Sequence, residues 1–309
     1  MEKIHHYRKK VDDTISKYFV ATIKNEKMKE MSEWALNGGK RLRSMIVLDI
    51  NNSLNKINKT EISAEYLSIT AELLHTSSLI IDDMPFMDND NKRREKETIH
   101  YKYGSTSAQV LSIYLISKSI EFSCKNLSEL KKSKLLPDDE FNNKATTIIN
   151  NILKQCKSAA YGQYIDTYPI KYSQENNISF TGKIKVELLR EIITRKTAPF
   201  YDIAFVGSYL LSGGDINMTA DIHEISRLFG LIFQISDDFE DKEQDKEKSV
   251  DSVIQNYVVI VGDEEAYKHF KSYLIQFVNK LKKLNLYSLF FKEVISYLVN
   301  RVNKYYVNV

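Results

Sequence analysis

Residues 67–88 read LSITAELLHTSSLIIDDMPFMD. Leu67, Ala71, Leu74, Ser78 and Ile81 recur at helical intervals, so one small-and-apolar stripe runs along a helix that ends at Asp82. Carboxylates gathered at the end of such a helix repel one another and lose hydration, unless a hard cation sits among them. Asp82 and Asp88 are six apart, which an unbroken helix would turn away from each other. Pro85 and the Asn-Asp residues that follow favour ending the helix there, and a loop can then fold Asp88 back toward Asp82.

The same device recurs about 150 residues later. Ile222, Ile225, Phe229, Ile232 and Phe233 form a second stripe that runs into Gln234 and the acidic string Asp237-Asp238-Phe239-Glu240-Asp241. Asp237 and Asp241 share one helical face with Asp238 beside them, so their oxygens can converge on one or two cations. Taken singly, either string is of a kind common on solvated surfaces in a chain with 28% charged residues. Their company changes the reading. Gly38-Gly39-Lys40-Arg41-Leu42-Arg43 sets two glycines before cations, with Lys40 and Arg43 expected on one helical face and the glycines expected to let backbone approach an anion. Arg93 and Arg94 follow the first carboxylates, and Lys196-Thr197 adds another cation and a hydroxyl. Carboxylates and cations in this proportion match a site for two diphosphates and several Mg²⁺ ions.

Composition narrows the fold. In 309 residues there are only 10 Gly and 4 Pro, too few for the turns of a sandwich or a doubly wound sheet, so the expectation is an all-α fold in a single domain over 1–309. The polar segment 126–144, which contains Pro137, reads as a surface loop; β-branched 257–261 reads as helix by context; 264–303 reads as two further helices. A formal charge of +3 without a long block of like charge argues against nucleic acid. Cys124 and Cys156 have no metal-ligand or disulfide-framework spacing, which fits a reducing compartment. No signal peptide and no run of roughly 20 apolar residues is visible, so a cytoplasmic protein without stable membrane insertion is expected.

GGKRLR, then His75 through Asp90 with Arg93-Arg94 and His100, then Gly162-Gln163-Tyr164-Ile165-Asp166, Lys196-Thr197, and Phe233 through Asp241 together resemble the trans-isoprenyl diphosphate synthase (polyprenyl synthetase) family in order and spacing, over roughly residues 30–305. The DDxxxxD form of the first string is similar to that of geranylgeranyl diphosphate synthases of bacteria and plants. The resemblance implies a single large helical bundle of the isoprenoid synthase type with a central hydrophobic cavity. It implies that Lys40, Arg43, His75 and Arg94 hold the diphosphate of isopentenyl diphosphate. Asp82, Asp83, Asp88, Asp237, Asp238 and Asp241 would bind two to three Mg²⁺ ions, with Mn²⁺ as an alternative, on an allylic diphosphate helped by Arg93, Lys196, Thr197 and Gln234. Asp82, Asp83, Asp237 and Lys196 would be the catalytic set.

The implied reaction is head-to-tail (1'-4) condensation of isopentenyl diphosphate with C5 to C15 allylic diphosphates by a homodimer, with geranylgeranyl diphosphate as the expected product. Ser77 and Ser78, roughly 6 to 8 Å below Asp82 along the helix, stand where farnesyl-producing members often carry an aromatic residue, so they are the expected chain-length positions. Two other readings compete: a class I terpene synthase on the same scaffold, which would not need Lys40, Arg43, His75 and Arg94, and a non-catalytic regulatory subunit, which could have lost its carboxylates. The chain departs from the family pattern at Ser44, where a proline is usual, at Ser112-Ile113, where many members have Gly-Asp, and after the second acidic string. There Lys246 or Lys248 would replace one of two usual lysines, and Gln255-Asn256 stand near the position of the other.

Overall fold

With so few breakers the chain spends its length on helices, and where prolines occur three stand at or beside helix starts. Pro137 precedes the helix Asp138–Thr167, Pro169 opens the helix Pro169–Glu175 and Pro199 is the second residue of the helix Ala198–Leu211. The structure, a computed structural model, describes residues 1–176, 182–248 and 256–306. Its elements are α1 (Glu2–Tyr18), α2 (Glu26–Leu36), α3 (Leu42–Asn58), α4 (Glu65–Asp82), β1 (Lys92–Arg93), β2 (Lys96–Glu97), α5 (Ile99–Tyr103), α6 (Ser105–Ser133), α7 (Asp138–Thr167), α8 (Pro169–Glu175), α9 (Gly182–Ile192), a π-helical turn (Ile193–Thr197), α10 (Ala198–Leu211), α11 (Thr219–Lys248), α12 (Tyr257–Val261), α13 (Asp263–Lys283) and α14 (Leu289–Tyr305). Among the described residues the antiparallel pair β1–β2 is the only sheet. No described helix is long and apolar enough to cross a membrane.

Contacts divide the chain into two compact units: an N-terminal unit of 2–150 and 206–216, and a C-terminal unit of Met1, 151–205 and 217–309. In the N-terminal unit α4 is the buried centre, flanked by α3 and α6. Short hydroxyl side chains let α6 lie close to it. Thr70 Oγ1 donates to the Ser119 carbonyl at 2.9 Å, Ser77 Oγ to the Ser112 carbonyl at 3.2 Å, and Asn126 Oδ1 accepts from the Leu67 amide at 2.9 Å. These bonds satisfy polar groups that would otherwise cost free energy in the core.

The C-terminal unit is organised around α11, against which α12, α13, α14 and the π turn pack. Its core is aromatic: Tyr201 meets Phe229 edge-on at 4.8 Å, Phe229 lies 5.3 Å from Phe277, and Phe205 stacks on Phe291 at 5.8 Å. All five positions of the second sequence stripe, Ile222, Ile225, Phe229, Ile232 and Phe233, are buried there.

Two sequence expectations hold and one is corrected. Residues 257–261 are helical, because Asn256 caps them through a 3.0 Å bond from the Val259 amide. The segment 264–303 does form two helices. The expected loop at 126–144 shrinks to 134–137, since Asn126, Leu127 and Leu130 carry the buried face of α6 on through a polar stretch.

Candidate functional site

The first carboxylate string sits on a folded-back loop. At the end of α4 the Asp83 amide still bonds to Leu79, Met84 is buried as an anchor, and the Asp88 amide returns to the Asp82 carbonyl at 2.9 Å. Pro85 thus ends the helix and Asp88 comes back beside Asp82, as its sequence suggested. Asp83 goes another way. It is buried, and its Oδ1 accepts from Arg93 Nε at 2.6 Å. Burial pushes its carboxyl above the ordinary value while the Arg93 charge pulls back down. Asp83 therefore fixes Arg93 in this structure.

Arg93 and Arg94 are carried by the β1–β2 hairpin, paired Lys92 with Glu97 and Arg93 with Lys96. The turn residues Arg94 and Glu95 both have positive φ, 53° and 62°, a conformation that glycine or asparagine would adopt more readily. The hairpin is fastened from outside: Trp34 Nε1 donates to the Glu97 carbonyl at 2.9 Å, and Lys102 Nζ lies 3.1 Å from the Trp34 ring centroid. His100 holds the preceding loop through a 2.9 Å bond between Nε2 and the Asp90 carbonyl.

His75, on α4, is neutral. Its pKa is lowered well below the ordinary imidazole value, first by burial and then by the charges of Arg43, Arg94, Arg93 and Arg41. Arg94 is itself lowered, by desolvation and by Arg93, Arg41 and Arg43, against the pull of Glu72. Several cations thus crowd one histidine, an arrangement that an anion would relieve.

GGKRLR does not start a helix at Lys40. Arg41 lies in the left-handed region at φ 59° and α3 begins only at Leu42, so Lys40 precedes the helix, exposed, and does not share a helical face with buried Arg43. The cause is Arg41. Its guanidinium, 6% exposed, is clamped by Glu72 Oε1 at 2.8 Å, by Asp12 Oδ1 at 2.7 Å and by the Leu36 carbonyl. A Cβ on Gly39 would fall 2.8 Å from Arg41 Nη1 and 3.0 Å from Glu72 Oε1. The room that Gly39 makes is therefore taken by an internal ion pair and not by the backbone's approach to an anion that its sequence suggests.

In the C-terminal unit the motif Gly162 to Asp166 supports Lys196-Thr197. A Cβ on Gly162 would stand 2.5 Å from the Arg195 carbonyl carbon and from the Lys196 nitrogen, so only glycine lets α7 touch the π turn. Pro199 has no N–H to return to the Arg195 carbonyl four residues back, and there the regular ladder gives way to the wider turn. Lys196 Nζ pairs with Asp166 Oδ2 at 2.5 Å. Thr197 Oγ1 donates to Gln234 Oε1 at 3.0 Å, and Gln234 Nε2 donates to Asp238 Oδ1 at 2.9 Å. Asp238 Oδ2 accepts from the Tyr257 amide at 2.7 Å. Both oxygens of buried Asp238 have protein partners, and burial pushes its carboxyl up to about 7.

Asp237 and Asp241 lie on the accessible side of α11. Asp237 is bridged by Arg301 of α14, whose Nη1 reaches Asp237 Oδ1 while Nη2 reaches Glu240 Oε2. Asp241 is raised by partial desolvation and by Asp237, Asp245 and Glu240, with Arg301 pulling the other way. Among the described residues no three His, Cys, Asp or Glu side chains converge into a metal cage. The donors are all hard carboxylate oxygens, which suits Mg²⁺, an ion held by one or two carboxylates together with substrate phosphates and water. The donor set therefore fits a hard divalent ion.

Ser77 is 1% exposed and bonded to α6, and Ser78 Oγ turns back to the His75 carbonyl at 2.9 Å. Lys246 pairs with Glu243 at 2.9 Å on the surface; the Lys248 side chain and Gln255 lie outside the described residues, and Asn256 is bonded to the Asp238 carbonyl and to Asp245. Sequence reading missed Arg41, Glu72, Trp34 and Arg301. Glu72, an acid three residues before His75 inside an apolar stripe, was the one visible signal among them.

A family model described as polyprenyl synthetase matches residues 25–254. A trans-prenyltransferase of African swine fever virus is 26% identical over 308 residues, covering 96% of this chain and 86% of the relative. A farnesyl diphosphate synthase of Buchnera aphidicola is 30% identical over 275 residues, covering 84% and 88%. Among solved structures, a geranyltransferase from Legionella pneumophila superposes with a TM-score of 0.77 at 22% identity, over 97% of this chain and 96% of that one, a likeness of fold. The fold is therefore that of the isoprenoid synthases, and with the family model spanning most of its length the chain belongs to the polyprenyl synthetase, or trans-isoprenyl diphosphate synthase, family.

Proposed function

We propose that the chain is a metal-dependent prenyltransferase that joins isopentenyl diphosphate head-to-tail to an allylic diphosphate, with geranylgeranyl diphosphate as its main product. The observation that carries this reading is the crowd of cations around neutral His75. Carboxylates with a metal would serve any enzyme that ionises a prenyl diphosphate, a cyclase included. Beyond Arg41, which Glu72 and Asp12 hold, and Arg93, which pairs with Asp83, the charges of Arg43 and Arg94 beside His75 would serve a second diphosphate that a cyclase does not bind. The relatives named trans-prenyltransferase and farnesyl diphosphate synthase support the same class.

In this reading Lys40, Arg43 and Arg94 bind the diphosphate of isopentenyl diphosphate through charge-assisted bonds, and His75 donates a neutral N–H to it. Asp82, Asp88, Asp237 and Asp241 hold Mg²⁺, while Asp83 and Asp238 keep Arg93 and Gln234 in place, the former through its Arg93 pair and the latter through its bond from Gln234. When bound, Mg²⁺ supplies Lewis-acid stabilisation of the departing diphosphate. Lys196 and Thr197 add a cation and a hydroxyl to the same leaving group, and no protein nucleophile is required. The apolar helix faces exclude water and bind the growing chain at about 0.8 kcal/mol per buried CH₂. Small Ser77 and Ser78 support a C20 limit. Val110 and Ile113, 49% and 60% exposed on α6, offer apolar surface for a second copy, which supports a homodimer.

Steady-state kinetics separate this from a cyclase. Lys40→Ala, at an exposed position, should raise the KM for isopentenyl diphosphate about tenfold or more, as loss of one charge-assisted contact implies, with little change for the allylic substrate. Equal effects on both substrates, or none, would remove the second diphosphate from the account.

A further inference from the structure

We infer that Arg301 is a tethered counter-cation of the second carboxylate string: it holds Asp237 and Glu240 together when metal is absent and competes with metal for Asp237 when the site is loaded. The inference rests on the proposed role of Asp237 as a metal ligand and goes beyond it, because that role by itself requires no guanidinium from α14.

The geometry is that of a bridging clamp. Arg301 lies on α14, more than sixty residues along the chain from α11, and its two terminal nitrogens go to two different carboxylates, Asp237 Oδ1 and Glu240 Oε2. Its side chain is 8% exposed, whereas Asp237 is 26% and Glu240 40% exposed. The guanidinium is thus the most buried member of the three, and both acids keep part of their surface accessible. From the same stretch of α14, Tyr305 OH donates to Glu240 Oε1 at 3.3 Å, and Tyr306 just beyond it packs edge-on against Phe239 at 6.2 Å. The C-terminal end of α14 is therefore seated on the acidic string by one bridging ion pair with lighter contacts around it.

Two features make the clamp one that a metal can loosen. Arg301 Nε is buried and bonds to no protein group, so the guanidinium is incompletely satisfied where it sits. Asp237 also stands beside Asp238 and Asp241, so in the absence of any cation the string would be self-repelling, and Arg301 supplies the missing charge from within the fold. A divalent ion on Asp237 takes over that neutralisation. By linkage, whatever free energy Arg301 contributes to the metal-free protein through Asp237 is subtracted from the metal's apparent affinity. Arg301 is a positioning residue in this account, since it acts on the metal through Asp237.

A merely structural arginine and a competing one predict opposite signs. Mn²⁺ binding to the full-length protein is followed by electron paramagnetic resonance without substrate, and thermal midpoints are taken in EDTA and in saturating Mg²⁺, for wild type, Asp237→Ala, Arg301→Met and Arg301→Lys. Arg301→Met should melt earlier than wild type in EDTA, yet bind Mn²⁺ at the Asp237-dependent site roughly tenfold more tightly, within the usual range of coupling between sites. Its Mg²⁺-induced rise in midpoint should exceed that of wild type, and Arg301→Lys, which keeps the charge but loses the fork, should fall between. If both variants bind Mn²⁺ as wild type does or more weakly, Arg301 does not compete and the inference is overturned. The lysine variant carries that decision alone if the methionine variant fails to fold. If Asp237→Ala binds Mn²⁺ undiminished, the ligand assignment of Asp237 itself fails, and the inference goes with it.

Discussion

Gly162→Ala should damage the protein by a route that no loss of contact explains. The added Cβ would stand 2.5 Å from both the Arg195 carbonyl carbon and the Lys196 nitrogen, and 2.7 Å from the Arg195 oxygen. These are backbone atoms, so no rotamer change relieves the overlap, and α7 or the turn must retreat by about 1 Å to restore ordinary contact. Overpacking of this kind costs about 1–3 kcal/mol. The same shift moves Lys196 and Thr197, and a misplacement of about 1 Å at a reacting centre can cost roughly a hundredfold in rate. Gly207→Ala provides the control, because its Cβ would meet only the movable Leu67 side chain at 3.2 Å. Urea midpoints and kcat with saturating substrates, measured for both variants, decide the matter. A Gly162→Ala protein as stable and as active as wild type, or no worse than Gly207→Ala, would show that the close approach of α7 to the turn carries no such cost.

Glu72→Gln leaves the Arg41 guanidinium buried with Asp12 as its remaining acidic partner. It should lower stability toward the 3–5 kcal/mol typical of a broken buried pair, at roughly the lower end because Asp12 remains, and a urea-measured loss below about 1 kcal/mol would contradict this. His75 is held neutral by burial and by Arg43, Arg94, Arg93 and Arg41. The unfolded imidazole titrates near 6.5 and the folded one well below, so its contribution is fully present above pH 6.5. It is lost as pH falls, by up to about 1.4 kcal/mol per pH unit, because the unfolded chain takes up a proton that the folded chain refuses. His75→Gln should lack this acid limb, and identical pH profiles for the two proteins would show the histidine is not the cause. Ser77→Phe, at a 1% exposed site bonded to α6, should shift product from C20 toward C15 and also lower the melting temperature. An unchanged C20 product from a folded variant would take Ser77 out of the chain-length account.

Much of the fold was legible because the two stripes, Leu67 to Ile81 and Ile222 to Phe233, carry helical periodicity through to the carboxylates they deliver. The return of Asp88 to Asp82 could be read from Pro85 and the Asn-Asp residues that follow it. The extent of α6 could not, since a long helix with one wet face spells a polar string, and only its neighbours show that Leu127 and Leu130 are buried. Motif reading singled out Gly39 and Gly162, but it gave Gly39 an anion to approach where the structure has the Arg41–Glu72 pair, because Glu72, like the π turn beside Gly162, comes from another part of the chain. Arg301 was invisible for the same reason: an arginine in an amphipathic helix has no local mark of the acids it will meet.

Elongation by five carbons can be tested in one tube. Purified protein is incubated with Mg²⁺, labelled isopentenyl diphosphate and, in turn, dimethylallyl, geranyl and farnesyl diphosphate, and the products are resolved by chain length together with any uncharged terpenes. Labelled allylic diphosphates ending mainly at C20 are expected, absent when Mg²⁺ is chelated and when Asp82 or Asp237 is changed to alanine. Uncharged products without incorporation of label, or extension that survives both the chelator and the alanine variants, would contradict it.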